Sequence, residues 1–325
     1  MRLFITGGNG FLGSAVVRRA LDRGHDARAL VRSAEAGRRL AATCEGVEIV
    51  VGNLRRPDEW LGELEGVDAV IHLAAATTRG FYEMFPDTVI ATERLLAAMG
   101  TMDVDRIVHV SSLAVYDFDA RAPGSRFDES VPDERDRLTR DAYGQTKLYQ
   151  EELVRTAGLR HTVIRPGAVW GAGYLWDGGL GQIAGPLWVA VGDAVPERFT
   201  YVENCADAIV IAAEEPRAVG EKLNVIDDDL PSQRAYARAL RGRGVDLPFA
   251  LPVPFGVLRA LAWLIAVFDR RFVGGRLKVP SMLTLRALDT RFKPFVFDNS
   301  RAKDVLGWSP RYDFDQALSR ACNQE

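Results

Sequence analysis

A tyrosine and a lysine four residues apart, in Tyr143-Gly144-Gln145-Thr146-Lys147, are the residues of this sequence most suited to proton chemistry. At helical spacing the phenol and the ammonium stand on one face, one turn apart. A tyrosine ordinarily titrates near 10, and an adjacent cation lowers that value by favouring the phenolate. Each unit of lowering corresponds to about 1.4 kcal/mol, so a drop of roughly two or three units requires a partly dry cleft. A tyrosine so placed serves as a general acid/base. The same pair also occurs on ordinary surface helices, so its meaning depends on its company. Ser111-Ser112 follows the apolar run Arg106 to Val110, and Arg165-Pro166-Gly167 follows the run His161 to Ile164. Both lie where doubly wound sheets bind ligands, at the carboxyl ends of strands.

A second constellation suits phosphate. Thr6-Gly7-Gly8-Asn9-Gly10-Phe11-Leu12-Gly13 joins the first apolar run to the first helical pattern, with glycines at 7, 10 and 13. A diphosphate needs a tight turn, close backbone approach and a helix N-terminus that offers free N–H groups. The second run ends Ala29-Leu30-Val31-Arg32-Ser33, without the acid that usually holds a ribose 2′-hydroxyl and with an arginine in its place. Arg38 and Arg39 follow one to two turns on. Guanidinium groups match a 2′-phosphate, so NADP(H) is favoured and NAD(H) stays open. Asn53-Leu54 is expected at the adenine edge. Ala74-Ala75-Ala76 forms a small-residue surface for cofactor backbone atoms, with Leu73 beside it as a further cofactor contact.

These residues require a scaffold of strands and helices in alternation. Apolar runs at Leu3 to Ile5, Ala27 to Val31, Val47 to Val51, Ala69 to Leu73, Arg106 to Val110 and His161 to Ile164 read as buried parallel strands. Helical patterns at Leu12 to Arg23, Thr88 to Met99 and Ala142 to Thr156 separate them. The expected class is α/β, a doubly wound parallel (Rossmann) sheet with a smaller, mostly helical C-terminal substrate lobe. Residues 1–170 would form the dinucleotide-binding domain, with 202–226 returning to it, and 171–201 with 227–325 the smaller lobe. Leu223 to Ile226 reads as one further strand, and the chain from Pro231 onward as mostly helical.

Composition removes other classes. The 325 residues carry a net charge of −3, from 41 basic and 44 acidic side chains without a long basic run, so no nucleic-acid partner is expected. A small-molecule substrate fits better. Cys44, Cys205 and Cys322 lack metal or disulfide spacing and read as reduced thiols, with no metal site. The chain enters its first strand without a signal-peptide pattern, and a cytoplasmic setting is expected.

Together the motifs TGGNGFLG, HLAA (His72 to Ala75), VSSLAVY, YGQTK, RPGAVWG and YVENCADA resemble the extended short-chain dehydrogenase/reductase family, also called the NAD(P)-dependent epimerase/dehydratase superfamily, in order along nearly the whole chain. The resemblance implies that Ser112 polarises the substrate oxygen, Tyr143 exchanges the proton and Lys147 also holds the nicotinamide ribose. Pro166 would border the nicotinamide, and a homodimer is the implied assembly. Leu113-Ala114 replaces the Asp-Glu pair of the dehydratases, and Arg165-Pro166-Gly167-Ala168 lacks the asparagine that grips nucleotide sugars. Thr88 stands where many relatives have an asparagine. Tyr201-Val202-Glu203-Asn204 and the tail Phe297 to Lys303 look most like the 3β-hydroxysteroid and sterol dehydrogenase branch.

Thr77, Leu113, Ala114, Ala168 and Trp170 are the residues expected to face the substrate. Trp170, Trp176, Phe81 and Tyr82, read as loop residues, either line an apolar pocket or belong to the core. The apolar stretch 254–268 is too short to span a bilayer. Its primary reading is a helix packed on the smaller lobe, with a helix lying on a membrane surface or against a lipid-like substrate as the alternative, given Arg270, Arg271 and Arg276 nearby. The leading activity is hydride transfer between NADP(H) and a secondary alcohol or ketone on a small, fairly apolar substrate. Transient oxidation, as in sugar epimerases, and a non-catalytic NADP(H)-sensing role are the rivals.

Overall fold

The structure is a computed structural model that describes residues 1–77, 80–136, 140–175, 180–184, 187–191, 197–274, 276–277, 279 and 283–323. The chain begins β1 (Arg2–Thr6), α1 (Phe11–Asp22), β2 (Asp26–Val31), α2 (Ala34–Thr43), β3 (Glu48–Val51), β4 (Ala69–His72). It continues α3 (Phe81–Phe85), α4 (Ala91–Thr101), β5 (Arg106–Val110), β6 (Arg126–Phe127), α5 (Ala142–Thr156), β7 (Arg160–Pro166). Next come β8 (Ala168–Trp170), β9 (Gln182–Ala184), β10 (Leu187–Val191), β11 (Phe199–Tyr201), α6 (Val202–Glu214) and β12 (Lys222–Val225). The last elements are α7 (Gln233–Arg241), β13 (Phe249–Val253), α8 (Phe255–Phe268), α9 (Leu285–Phe292), β14 (Val296–Phe297), α10 (Ser300–Leu306) and α11 (Phe314–Asn323).

Seven of the described strands form one parallel sheet in the order β12-β7-β5-β4-β1-β2-β3. The class expected from the alternating runs is the one observed, a doubly wound α/β sheet with helices on both faces. Its strands β4 and β5 are buried along their whole length, which is why they read as continuous rather than alternating apolar segments. Winding proceeds outward in both directions from the β1–β4 junction, and a crevice for ligands opens at that point. Helices α1 and α6 pack together over one face, α4 and α5 over the other.

At the amino end of β5 the side chain of Arg106 lies inside the protein. Its Nη1 donates to the carbonyl oxygens of Ile107 (3.0 Å) and Arg160 (2.9 Å). Its Nη2 donates to Thr162 Oγ1 at 2.8 Å and to the carbonyl of Ala212 in α6. Burial brings its pKa down to about 10.

Two expectations need correction. The helix expected over Thr88 to Met99 starts earlier. Helical turns run from Phe81 through a wider turn at Pro86–Ile90 to Thr101. Pro86 has no N–H to close a regular turn, which accounts for the widening. Phe81 and Tyr82 therefore open a helix rather than lie in a loop. The region after Pro231 is less helical than expected, because β13 pairs in parallel with β10. Pro252 is tolerated there since β13 is an edge strand.

All three cysteines are thiols, Cys44 and Cys205 buried and Cys322 partly so. Among the described residues no three His, Cys, Asp or Glu side chains converge on a metal site, and no helix is long and apolar enough to cross a membrane.

Candidate active site

The glycine turn is built so that backbone replaces side chains. Gly7 adopts φ +74°, and a Cβ there would lie 2.9 Å from the amide nitrogen of Ala74. A Cβ on Gly13 would fall 2.0 Å from the carbonyl oxygen of Gly7, so α1 rests directly on the loop. Gly10 donates to Gly7 at 3.0 Å and caps α1 without any side chain covering the first-turn N–H groups. Those groups and the positive end of the helix dipole face the crevice, which suits a diphosphate. Asn9 is exposed, Leu12 partly buried, and the ring of Phe11 stacks on Tyr174 at 4.1 Å.

Arg32 projects into solvent from the end of β2, with Nη1 3.9 Å from Asp87 Oδ2. Arg55, which the sequence reading passed over, reaches the same carboxylate with Nε at 3.4 Å. Asn53 accepts from the backbone of Arg55 at 3.0 Å, and Leu54 is buried beside Trp60. Leu73, Ala74, Ala75 and Ala76 are half-buried along the crevice, and the N–H of Ala76 donates to Thr88 Oγ1 at 3.0 Å. Thr88 thus makes a local hydrogen bond at the position where the family resemblance led us to expect an asparagine. Pro166 closes β7, buried.

The catalytic candidates come from the ends of two elements. Asp141 caps α5 by accepting from the N–H of Gly144 at 2.8 Å, and the phenol of Tyr143 leaves the first turn half-buried. One turn later Lys147 is only 2% exposed. Its Nζ donates to the carbonyl of Val110, the last residue of β5, and to Gln150 Oε1, both at 2.7 Å. Burial lowers its pKa to about 7, against a partly restoring pull from Glu151. Ser112, just past β5, accepts from the N–H of Ala114 at 3.1 Å, and its own hydroxyl hydrogen points to no acceptor among the described residues. Helix α5 packs against the short turn Leu113–Val115, which brings Ser112 and Tyr143 to one end of the sheet.

Beneath them runs a buried polar seam, to which the glycine motif contributes Thr6 and the HLAA motif His72. Gln150 donates to the carbonyl of Ala74 at 3.0 Å and to Thr92 Oγ1 at 2.8 Å. The Thr92 hydroxyl donates to the Thr88 carbonyl at 2.6 Å. His72 Nε2 lies 2.8 Å from Thr92 Oγ1 and 3.0 Å from Gln150 Nε2, and its Nδ1 lies 2.7 Å from Thr6 Oγ1. Burial and then Lys147 push the His72 pKa down to about 3, so the ring is neutral. His109 lies 5.5 Å from it, ring to ring, and neither of its nitrogens has a partner among the described residues. A second buried group ties the serine segment to α5. Ser111 donates to Glu151 at 2.6 Å, Arg165 bridges Glu151 and Asp133, and the guanidinium lies 4.3 Å over the ring of Tyr116. A signal was present, since Gln150 and Glu151 stand three and four residues after Lys147, on its helix face.

The residues expected to face the substrate divide. Thr77 is exposed, and Ala114 and Ala168 are half-buried. Leu113 and Trp170 lie inside hydrophobic clusters, Trp170 among the rings of Phe199, Tyr201, Tyr236 and Phe314, so neither forms an open wall. Trp176 lies outside the described residues.

The profile of the NAD dependent epimerase/dehydratase family matches residues 3–225. A ketoreductase of Stigmatella aurantiaca, named for 4-hydroxy-2-methyl-3-oxo-4-farnesyl-3,4-dihydroquinoline-1-oxide, is 29% identical over 98% of this chain and 95% of its own. The 3 beta-hydroxysteroid dehydrogenase/Delta 5-->4-isomerase of Mycobacterium tuberculosis is 27% identical over 98% of this chain and 88% of its own. The crystal structure of gox2253, 24% identical, shares the fold at a TM-score of 0.77 over 99% of this chain and 96% of that one. With the family match reaching from the first strand of the parallel sheet to its last, the chain belongs to the NAD dependent epimerase/dehydratase family and is an NAD(P)-dependent dehydrogenase or reductase.

Proposed function

We propose that the protein interconverts a ketone and a secondary alcohol on a small, fairly apolar substrate, with NADP(H) as the hydride partner and Ser112, Tyr143 and Lys147 as the working side chains. The observation that carries this reading is Lys147, a buried cation one turn after Tyr143, held by Val110 and Gln150. A charge in so dry a place acts strongly on a neighbouring phenol. Bound NADPH supplies the hydride. The Ser112 hydroxyl donates a hydrogen bond to the substrate oxygen, since its own oxygen is already engaged by Ala114. Tyr143 gives its proton to that oxygen as the carbinol forms, and the Lys147 ammonium stabilises the phenolate left behind. Oxidation runs the same proton backwards.

Support for the substrate class comes from the two relatives above, both named for an oxidoreductase reaction on a largely apolar skeleton. Leu113 and Ala114 leave no acid beside Ser112 for dehydration. Arg32 and Arg55, converging on Asp87, offer two guanidinium groups to a 2′-phosphate. Residues 1–170 with 202–226 hold the cofactor in this reading, and 171–201 with 227–325 select the substrate. Tyr143→Phe is the test. It should lower kcat at least 100-fold while NADPH affinity stays within about threefold of the parent. Turnover that survives the loss of the hydroxyl overturns the assignment.

A further inference from the structure

We propose that α8 and the turn that prolongs it to Val273 dock the protein onto an anionic phospholipid surface. Of α8, only Ala262 is buried. Phe255, Leu258 and Ala262 face Leu285, Leu288 and Phe292 of α9. On the rest of the circumference Ile265 and Ala266 are half-buried, and Val257, Leu261, Leu264, Val267 and Phe268 are all exposed. Trp263 on the flank is 54% exposed and Phe272 in the following turn 74%. From Phe255 to Phe268 the one charged side chain is Arg259, which pairs with Asp289 at 2.9 Å. A helix apolar all round belongs in an interior. Among the described residues nothing covers this one, and a contiguous apolar patch of such extent marks an interaction site.

The charge beside the helix identifies the partner. From Phe249 to Val279 the sequence holds five basic residues and one acidic, in a chain of net charge −3. Arg270, Arg271 and Arg276 are exposed and make no ion pair among the described residues. The acidic residue, Asp269, accepts from the backbone of Leu277 at 3.0 Å. Unpaired cations rimming an apolar helix complement phosphate headgroups above acyl chains. At about 21 Å the helix is too short to cross a bilayer. It lies in the headgroup plane with Leu261, Leu264 and Phe268 turned toward the acyl chains. This inference is independent of the substrate assigned above.

The test mixes the full-length protein with vesicles of phosphatidylcholine alone and of phosphatidylcholine with one-third phosphatidylglycerol, and measures sedimentation. Binding to the anionic vesicles should be at least 30-fold tighter, with Trp263 emission shifted to the blue and quenched by brominated acyl chains. The triple variant R270Q/R271Q/R276Q should weaken binding roughly 100-fold, from three charges of ordinary surface strength. L261E/L264E should abolish it. Both variants should keep the parent's thermal unfolding and NADPH affinity, since the replaced side chains are exposed. Failure of the parent to bind anionic vesicles overturns the proposal. So does a stable dimer in solution that cross-links through Leu264→Cys, because a second copy would then be the occupant.

Discussion

Replacing Gln150 by leucine removes an amide that joins the lysine to the cofactor wall while keeping most of its volume. One lost hydrogen bond is to an ammonium, about 1.5–3 kcal/mol in comparable cases, and two buried acceptors, the Ala74 carbonyl and Thr92 Oγ1, lose a donor. Part of this is recovered by burying the leucine side chain, so the net loss should be about 3 kcal/mol. For a chain of this length that is a fall of roughly 4 °C in Tm. Urea unfolding at constant slope measures the first quantity. Gln150→Glu separates packing from electrostatics. A carboxylate beside Nζ raises the Lys147 pKa from about 7. Turnover that depends on the ammonium falls as pH rises through that pKa, so the falling limb should move to higher pH in Gln150→Glu. If Gln150→Leu unfolds within about 0.5 kcal/mol of the parent and the limb in Gln150→Glu stays in place, the network has no bearing on Lys147 and the reasoning fails.

Three further outcomes follow from the same geometry. The folded chain holds the Lys147 proton less tightly than the unfolded chain, in which it titrates near 10.5, so stability rises between about pH 7 and 10.5 by up to ~1.4 kcal/mol per unit. Lys147→Met should remove that slope, read from urea midpoints at pH 7 and 9. Gly13→Ala should lower NADPH affinity by more than 100-fold, because its Cβ would fall 2.0 Å from the Gly7 carbonyl and drive α1 off the turn; fluorescence titration measures it. Asp87→Asn should tighten NADPH up to about fivefold by releasing Arg32 and Arg55 from an exposed pairing, with NADH unchanged. An equal effect on both cofactors would remove the 2′-phosphate from the account.

Much of the fold was legible because strands buried on both faces write themselves as short apolar runs. The runs from Leu3 to Ile5 and from Leu223 to Ile226 both appear in the sheet within a residue or two. Helix α5 was readable end to end, since Asp141 caps it and its pattern is unbroken. The wide turn at Pro86 was not, because a proline inside a helical pattern signals an end as readily as a distortion. Nor was β13, whose prolines argue against a strand unless its edge position is known. At the site, Ser112, Tyr143 and Lys147 could be singled out as candidates from spacing and neighbouring motifs. The seam of Thr6, His72, Thr92 and Gln150 could not, as its members come from four elements and meet only when the sheet and α5 have closed. Arg55 escaped for the same reason, reaching Asp87 across more than thirty residues of chain. Trp170, read as a loop residue, instead ends β8, and of the two readings open for its ring the packed one is observed.

Arg106 has a consequence for how the molecule assembles. Its guanidinium is satisfied by groups from β5, β7 and α6, the last of them 106 residues further along the chain. Until Ala212 arrives, a cation at the amino end of β5 lacks part of its hydration substitute and holds that corner of the sheet open to water. A nascent chain can therefore collapse around β1 to β4 early, but the half containing β5 and β7 locks only once α6 has been made and docked. The set of acceptors around Arg106 is thus complete only with α6 docked, and the strand that leads into Ser112 shares that dependence.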